Sequence, residues 1–360
     1  MVKPNTVGLA LCLLLLGVTT AVGLEICSVP PLSSAELVVM PSGKIYLYQK
    51  AELELPAGET ELALDVAGAD EQTLRLRVLE PTGGVTITEQ YRRLDAAGKL
   101  FWRIRSAEKQ TTVLQLRYCP QNLSISVSYE AQLHPDRSRM DLQGRVTTKY
   151  TGETEMKEVS VSLPSGDRFV TTLIPNTAVG QDLFATRDLS YTGGYVYDEK
   201  SYGKRAMYVI EFAMPPNGRS LLAGPIAFYS AEAGLGKMIG AATVPYSPLH
   251  KRIELAAYPL PDISVSGGLT DGEQQSVKVD VYKKLALYNL REAYEYACFN
   301  RGGRDLELVF RAHYAGDWQV QKSSHNHQRL DAETVEFSLS LPRGQEVTLS
   351  YTILQKNIIP

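Results

Sequence analysis

What this chain most lacks is helical periodicity. Beyond its first two dozen residues, apolar side chains recur at every second position and almost never at the three-to-four spacing of an amphipathic helix. Helical bundles and helix-covered parallel sheets are therefore excluded. An excess of one charge is also missing, since 37 basic and 40 acidic residues leave a net charge of −3 with both signs spread along the sequence. No basic stripe of the kind a phosphate backbone requires is present, which excludes nucleic acid as a partner. Cysteine is scarce, with Cys12 inside an apolar leader and Cys27, Cys119 and Cys298 after it. An odd count in an oxidising compartment permits one internal bridge at most, and a chain of this size does not need staples. Cys119 and Cys298 are expected as small buried hydrophobes. No second apolar run approaches the ~20 residues that span a bilayer, so the mature chain is expected to carry no transmembrane span.

The leader reads as a signal peptide over residues 1–23. Lys3 is the only early charge, an apolar run extends from Val7 to Val22, and Ala21-Val22-Gly23 places small residues for cleavage before Leu24. Ile26 stands before Cys27, where lipidation would need a small residue. The expectation is an exported protein, with the periplasm as its compartment.

What the chain has in abundance is alternation. One apolar and one charged face appear from Ile45 to Leu55 and again from Leu62 to Val66. Period-two runs continue at Leu74 to Val78, Thr112 to Tyr118, Leu123 to Tyr129, Met156 to Leu163, Met207 to Phe212, Leu306 to Phe310 and Val335 to Leu341. Leu-Pro-x-Gly follows a strand three times, at Leu55 to Gly58, Leu163 to Gly166 and Leu341 to Gly344. Pro pre-sets φ for the second turn position and Gly takes the left-handed one, so each is expected to close a hairpin. The fold class is all-β: two to three antiparallel β-sandwich domains. Leu285 to Phe299 fits both periods, and at least its second half is assigned to a strand because Asn300 to Gly303 ends it as a loop would. The expected division is an N-terminal β-rich domain over 24–112, a middle sandwich over 113–262 and a last sandwich over 263–356. The Gly- and Tyr-rich segment 175–204 is expected as a long excursion within the middle sandwich, and the Gly/Ser-rich patch 264–272 as a seam.

The block from Val113 to Asp167 carries Leu116-Arg117-Tyr118, Leu142-Gln143-Gly144-Arg145-Val146, Thr151-Gly152-Glu153 and the strand Val159 to Leu163. The end of the chain carries Tyr294 to Arg301, Gly316-Asp317-Trp318, Asp331-Ala332 and the run Val335 to Tyr351. In order and spacing these resemble an envelope domain that also forms the C-terminal part of mucoidy-inhibitor-like bacterial proteins. The hairpin from Ile45 to Val66 resembles the opening segment of that family. Ile125 and Tyr150 depart from its usual Trp and Asn, and its long coiled-coil insertion is missing here. The resemblance implies β-sandwiches, the last of them Ig-like, and export. It implies no catalytic residues.

Few constellations carry chemistry. His325 and His327 are the only close histidine pair and lie in a polar run, so no metal or cofactor is expected. Ser-x-x-Lys at Ser106 and Ser201 lacks the helical context and the Lys-Thr-Gly partner of a lysine-activated serine. Glu108, Glu130, Asp136, Asp141, Asp188, Asp198 and Glu199 are the candidate glycosidase acids, and most fall on polar faces or in turns. The candidate ligand-binding residues are Tyr191, Tyr195, Tyr197 and Tyr202, on what reads as a flexible polar loop whose rings stack on sugars or anchor a partner. The expectation is a non-enzymatic binding or scaffolding protein of the bacterial envelope, its partner a protein or a cell-surface polysaccharide. The alternative is a carbohydrate-active hydrolase or glycan-binding module acting on surface polysaccharide.

Overall fold

A computed structural model of the chain describes residues 25–28, 34–65, 68–80, 84–93, 99–136, 138–216, 218–230, 236–279, 282 and 285–359. The apolar leader and the cleavage site before Leu24 lie outside the described residues. The chain is almost entirely strand. The first eight are β1 (Glu25–Ser28), β2 (Ser34–Val39), β3 (Ile45–Leu55), β4 (Gly58–Asp65), β5 (Ala69–Glu80), β6 (Val85–Tyr91), β7 (Lys99–Ser106) and β8 (Gln110–Pro120). Then come β9 (Leu123–Leu133), β10 (Arg139–Tyr150), β11 (Met156–Ser162), β12 (Arg168–Leu173), β13 (Thr177–Asp198), the helical turn α1 (Glu199–Tyr202), β14 (Ala206–Ala213), β15 (Gly224–Ser230), β16 (Lys237–Val244) and β17 (Arg252–Pro259). The last are β18 (Ile263–Val279), β19 (Leu285–Asn300), β20 (Leu306–His313), β21 (Asp317–Ser323), β22 (His327–Arg329), β23 (Thr334–Leu341) and β24 (Glu346–Ile358). Among the described residues no helix is long and apolar enough to cross a membrane.

The chain divides into two compact units, one made of residues up to 35 with 47–119 and one of 36–46 with 120–360. In the first, β1, β4, β7 and β6 form one sheet, and β3 pairs with β8 in the other. Leu53 and Leu55 of β3, Leu114 and Leu116 of β8, Leu62 of β4 and Trp102 and Ile104 of β7 close the space between them. The alternation legible from Ile45 to Leu55 therefore does what period two requires, with every second side chain buried from Leu47 to Leu55.

In the second unit β13 is the central element. The Gly- and Tyr-rich segment expected as an excursion is instead a 22-residue strand. Residues 177–190 pair with β10, residues 191–197 pair with β14 on one side, and residues 195–198 pair in parallel with β20 on the other. Its alternation is weak because the first half keeps one face open to solvent while the second enters a core. A bulge marks the change, with Asp188 at φ +53° and its N–H donated to the Asp141 carboxylate at 3.0 Å. The sheet of β18, β19, β24 and β21 shares a core with β20, β23 and the end of β13, built from Phe310, Phe337, Leu339, Leu349, Tyr351 and Ile353.

The Gly/Ser-rich patch near 264–272 is part of β18 and pairs with β19, with a bulge at Thr270. Gly267, at φ +126°, lets the backbones close up, since a side chain there would lie 2.1 Å from the Glu295 carbonyl oxygen. Leu285–Asn300 is strand along its whole length. Cys119 and Cys298 are buried free thiols, as expected.

Two of the three Leu-Pro-x-Gly turns do not close hairpins. Leu163 to Gly166 does, joining β11 to β12, with the Gly166 N–H donated to the Leu163 carbonyl at 2.9 Å. Leu55 to Gly58 instead carries the chain from the sheet of β3 to that of β4, and Leu341 to Gly344 from the sheet of β23 to that of β24. The local conformation is as expected, with Gly166 at φ +89° and Gly344 at φ +67°. The choice of strand partner is not local: the second strand finds its ladder on the opposite sheet, where its apolar face meets the first strand's across the core.

Candidate functional site

The four tyrosines expected on a loop stand on strand β13 and the turn after it, in different surroundings. Tyr197 is 2% exposed, with its ring 5.1 Å from that of Phe310, and belongs to the core. Tyr195 is half-buried between the Tyr208 ring at 5.5 Å and the Arg304 guanidinium, which also donates to its hydroxyl. Tyr202 donates to Glu254 at 3.0 Å, and burial, followed by that carboxylate, pushes its phenol far up. Tyr191 lines a groove. The strand conformation explains the separation: positions 191, 195 and 197 share one face of β13, and that face runs from the edge of a groove into the packed interior.

The groove has a volume of about 640 Å³ and is lined wholly within the second unit. Tyr191, Tyr208 and Tyr258 supply rings, and Leu133, Met238 and Ile239 supply aliphatic wall. Its polar groups are Ser230, Lys237 and His134. Tyr208 and Tyr258 stack with centroids 5.0 Å apart and planes 22° from parallel. Gly193 makes this possible, because a Cβ there would fall 1.9 Å from the Tyr208 hydroxyl. On the other wall, Gly240 brings β16 against β17, since its Cβ would lie 2.0 Å from the Ala257 carbonyl oxygen. Met238 and Ile239 line the same groove as Tyr258. Ser230 and Lys237 are partners across the β15–β16 ladder. His134 is held from behind by Asp141 at 3.2 Å and Asp188 at 3.8 Å. A volume of this size, walled by aromatic and aliphatic groups with a few polar ones, has the make-up of a ligand site.

Three of the candidate acids, Asp136, Asp141 and Asp198, are held below the usual carboxylate range. Asp136 is lowered to about 2, first by the Ser138 backbone N–H and then by Arg139. Asp141 is lowered chiefly by the Asp188 N–H. At Asp198 burial acts upward, yet the Ser201 N–H, His313 and the Ser201 hydroxyl together bring it below the usual range. A glycosidase acid must instead be raised to keep its proton. Asp198 also caps α1 and binds His313 at 3.0 Å, while the other ring nitrogen of His313 faces the Thr334 hydroxyl at 3.2 Å. The Thr334 side of this relay is buried at the start of β23, and its members tie β13, β20, β23 and α1 together. Near the other histidines, His327 packs on Phe337 and His325 meets the Ser324 hydroxyl. Among the described residues no group of three or more histidines, cysteines or acids is placed to hold a metal.

Because the folded chain keeps Asp198 ionised below the pH at which the unfolded chain protonates it, acid favours unfolding. Its contribution is complete above the ordinary value of 3.8 and disappears as pH falls through the lower folded value. Asp198→Asn is expected to lower stability by about 1.5–3 kcal/mol at neutral pH. The gap between urea melts of the two proteins should narrow as pH falls below the ordinary carboxyl value of 3.8. A gap that does not narrow there would contradict this.

No protein-family model matches the chain, and no curated protein matches it.

Sequence reasoning missed Tyr208, Tyr258, His134 and Lys237. The first two stand in ordinary strand alternation, and only the ladder of β14 with β13 and β17 sets them beside Tyr191. The one local signal was Gly193, a glycine in a strand, which marks a close approach by another group.

Proposed function

We propose that this chain is an exported, non-enzymatic binding protein of the bacterial envelope, and that the tyrosine-walled groove on the second unit holds its ligand. The observation that carries this is the groove itself: three tyrosines and an aliphatic wall around about 640 Å³, with Gly193 and Gly240 clearing the space. The apolar leader supports export, and the resemblance to envelope sandwich domains supports the compartment. The carboxylates near the tyrosines favour binding over hydrolysis, because hydrogen bonds and cations hold Asp141 and Asp198 ionised.

The test is retention. The mature chain is immobilised beside a Met238→Trp variant, which fills the groove from a position 53% exposed and so leaves the core untouched. A solubilised envelope extract is passed over both, and the bound fractions are assayed for polysaccharide and for protein. The expected result is material retained by the parent and lost from the variant. Equal retention by both would overturn the assignment of the groove.

A further inference from the structure

The outer wall of the second unit carries a hollow separate from the groove. Side chains alternate along β9, so Leu133 turns to the groove while Glu130 and Gln132 turn to solvent. Register sets their neighbours. Gln132 stands between Tyr229 of β15 and Asp141 of β10, and Glu130 between Ala227 of β15 and Gln143 of β10. Paired residues of adjacent strands project to the same side, so the Tyr229 ring and the polar ends of Gln132, Glu130 and Gln143 share one face. They line a hollow of about 400 Å³. Asp141, also in the lining, already accepts from the Asp188 N–H at 3.0 Å and meets His134 at 3.2 Å, so it frames the hollow rather than reaching for a ligand.

We infer that this face is a second binding site, for a neutral polysaccharide, with one sugar ring resting on Tyr229 and the hydroxyls of the next units pairing with Gln132, Glu130 and Gln143. The ligand class follows from the groups. An amide offers two donors and an acceptor while a carboxylate accepts only, so sugar hydroxyls, which both donate and accept, are matched by the set. Tyr presents an apolar ring with a polar tip, which suits the C–H face of a pyranose beside its hydroxyls. Adjacent strands lie about 4.8 Å apart, close to the length of one sugar in an extended chain. A polymer crossing β15, β9 and β10 therefore meets a new side chain at each unit. A peptide is matched less well, because its backbone groups pair with the edge of a sheet and not with its face.

The mature chain would be run by affinity electrophoresis through hydroxyethylcellulose and galactomannan, both extended β-linked polymers, with dextran, a flexible α-linked one, as the control. At least one of the first two is expected to retard the parent, and dextran is not. Gln132→Ala combined with Gln143→Ala should weaken that binding about tenfold, since two hydrogen-bonding amides are removed. Tyr229→Ala should weaken it about three- to tenfold. Gln132 and Gln143 are exposed, so the double variant is expected to melt with the parent. Met238→Trp, which fills the groove, should leave the retardation unchanged. Retardation by none of the polymers, equally by dextran, or undiminished in the double variant would overturn the inference. Loss in Met238→Trp would also overturn it and give the glycan to the groove. A protein retained from the envelope extract by the parent and lost from the double variant would overturn it too, making this face a protein surface. The groove is tested by Met238→Trp alone, so failure of one site leaves the other standing.

Discussion

Arg311→Met is expected to lower the stability of the second unit by about 3–5 kcal/mol. The guanidinium, 13% exposed, donates to both oxygens of Glu254 at 2.6 and 2.9 Å and to Glu336 at 2.9 Å. Glu254 is on β17 and Glu336 on β23, while Tyr202 and Gln328 donate to the same two carboxylates. The network thus ties five segments together: β17, α1, β20, β22 and β23. The loss on substitution comes less from the attraction itself than from two carboxylates left behind, of which Glu336 is only 11% exposed. Supplying Glu254→Gln and Glu336→Leu in the same chain should recover most of it, because an apolar replacement of a whole buried network is often near neutral. Urea unfolding of the single and triple variants checks this. A single variant within roughly 0.5 kcal/mol of the parent would mean that the carboxylates find other partners.

Phe337→Ala is expected to lower stability by a similar amount, about 3–5 kcal/mol. Phe337 is fully buried on β23, its ring 4.5 Å from Tyr351 of β24 and 6.3 Å from Phe310 of β20. It therefore fills the layer between two sheets. Tyr351 has its own anchor in the Tyr314 hydroxyl, which donates to it at 3.0 Å, and this pair restrains the ring from closing the hole. Truncation should leave a cavity, with the cost of the lost transfer term and of the unfilled space together. Phe337→Leu, which keeps most of the volume, should lose only about 1–1.5 kcal/mol. Calorimetric melts of the two variants would show the ordering, and a leucine variant as unstable as the alanine one would contradict the packing account.

Much of this architecture was legible before any coordinates. The period of two from Ile45 onward dictates strands with one buried face, because adjacent side chains in an extended chain point to opposite sides. Leu53, Leu114, Val161, Phe310 and Leu339, all apolar positions of that pattern, are buried. The conformation of the Leu-Pro-x-Gly turns was legible too, since the Pro ring and the missing Cβ of Gly act on their own backbone. Segment 175–204 was misread because its glycines imitate a loop. In the structure Gly193 is glycine for the sake of Tyr208, which arrives from another strand.

What the sequence by itself determined is the set of strands, their buried faces and the places where the backbone turns, all of which follow from steric limits within a few residues. What only the tertiary structure decided is which strand each turn delivers its chain to, and with it the groove. Leu55 to Gly58 and Leu163 to Gly166 have the same turn residues, yet one crosses between sheets and the other closes a hairpin. The difference lies in which apolar faces must meet across a core. Tyr191, Tyr208, Tyr258 and Lys237 share a site for the same reason. Four strands, β13, β14, β16 and β17, bring them together, and no local rule records that encounter.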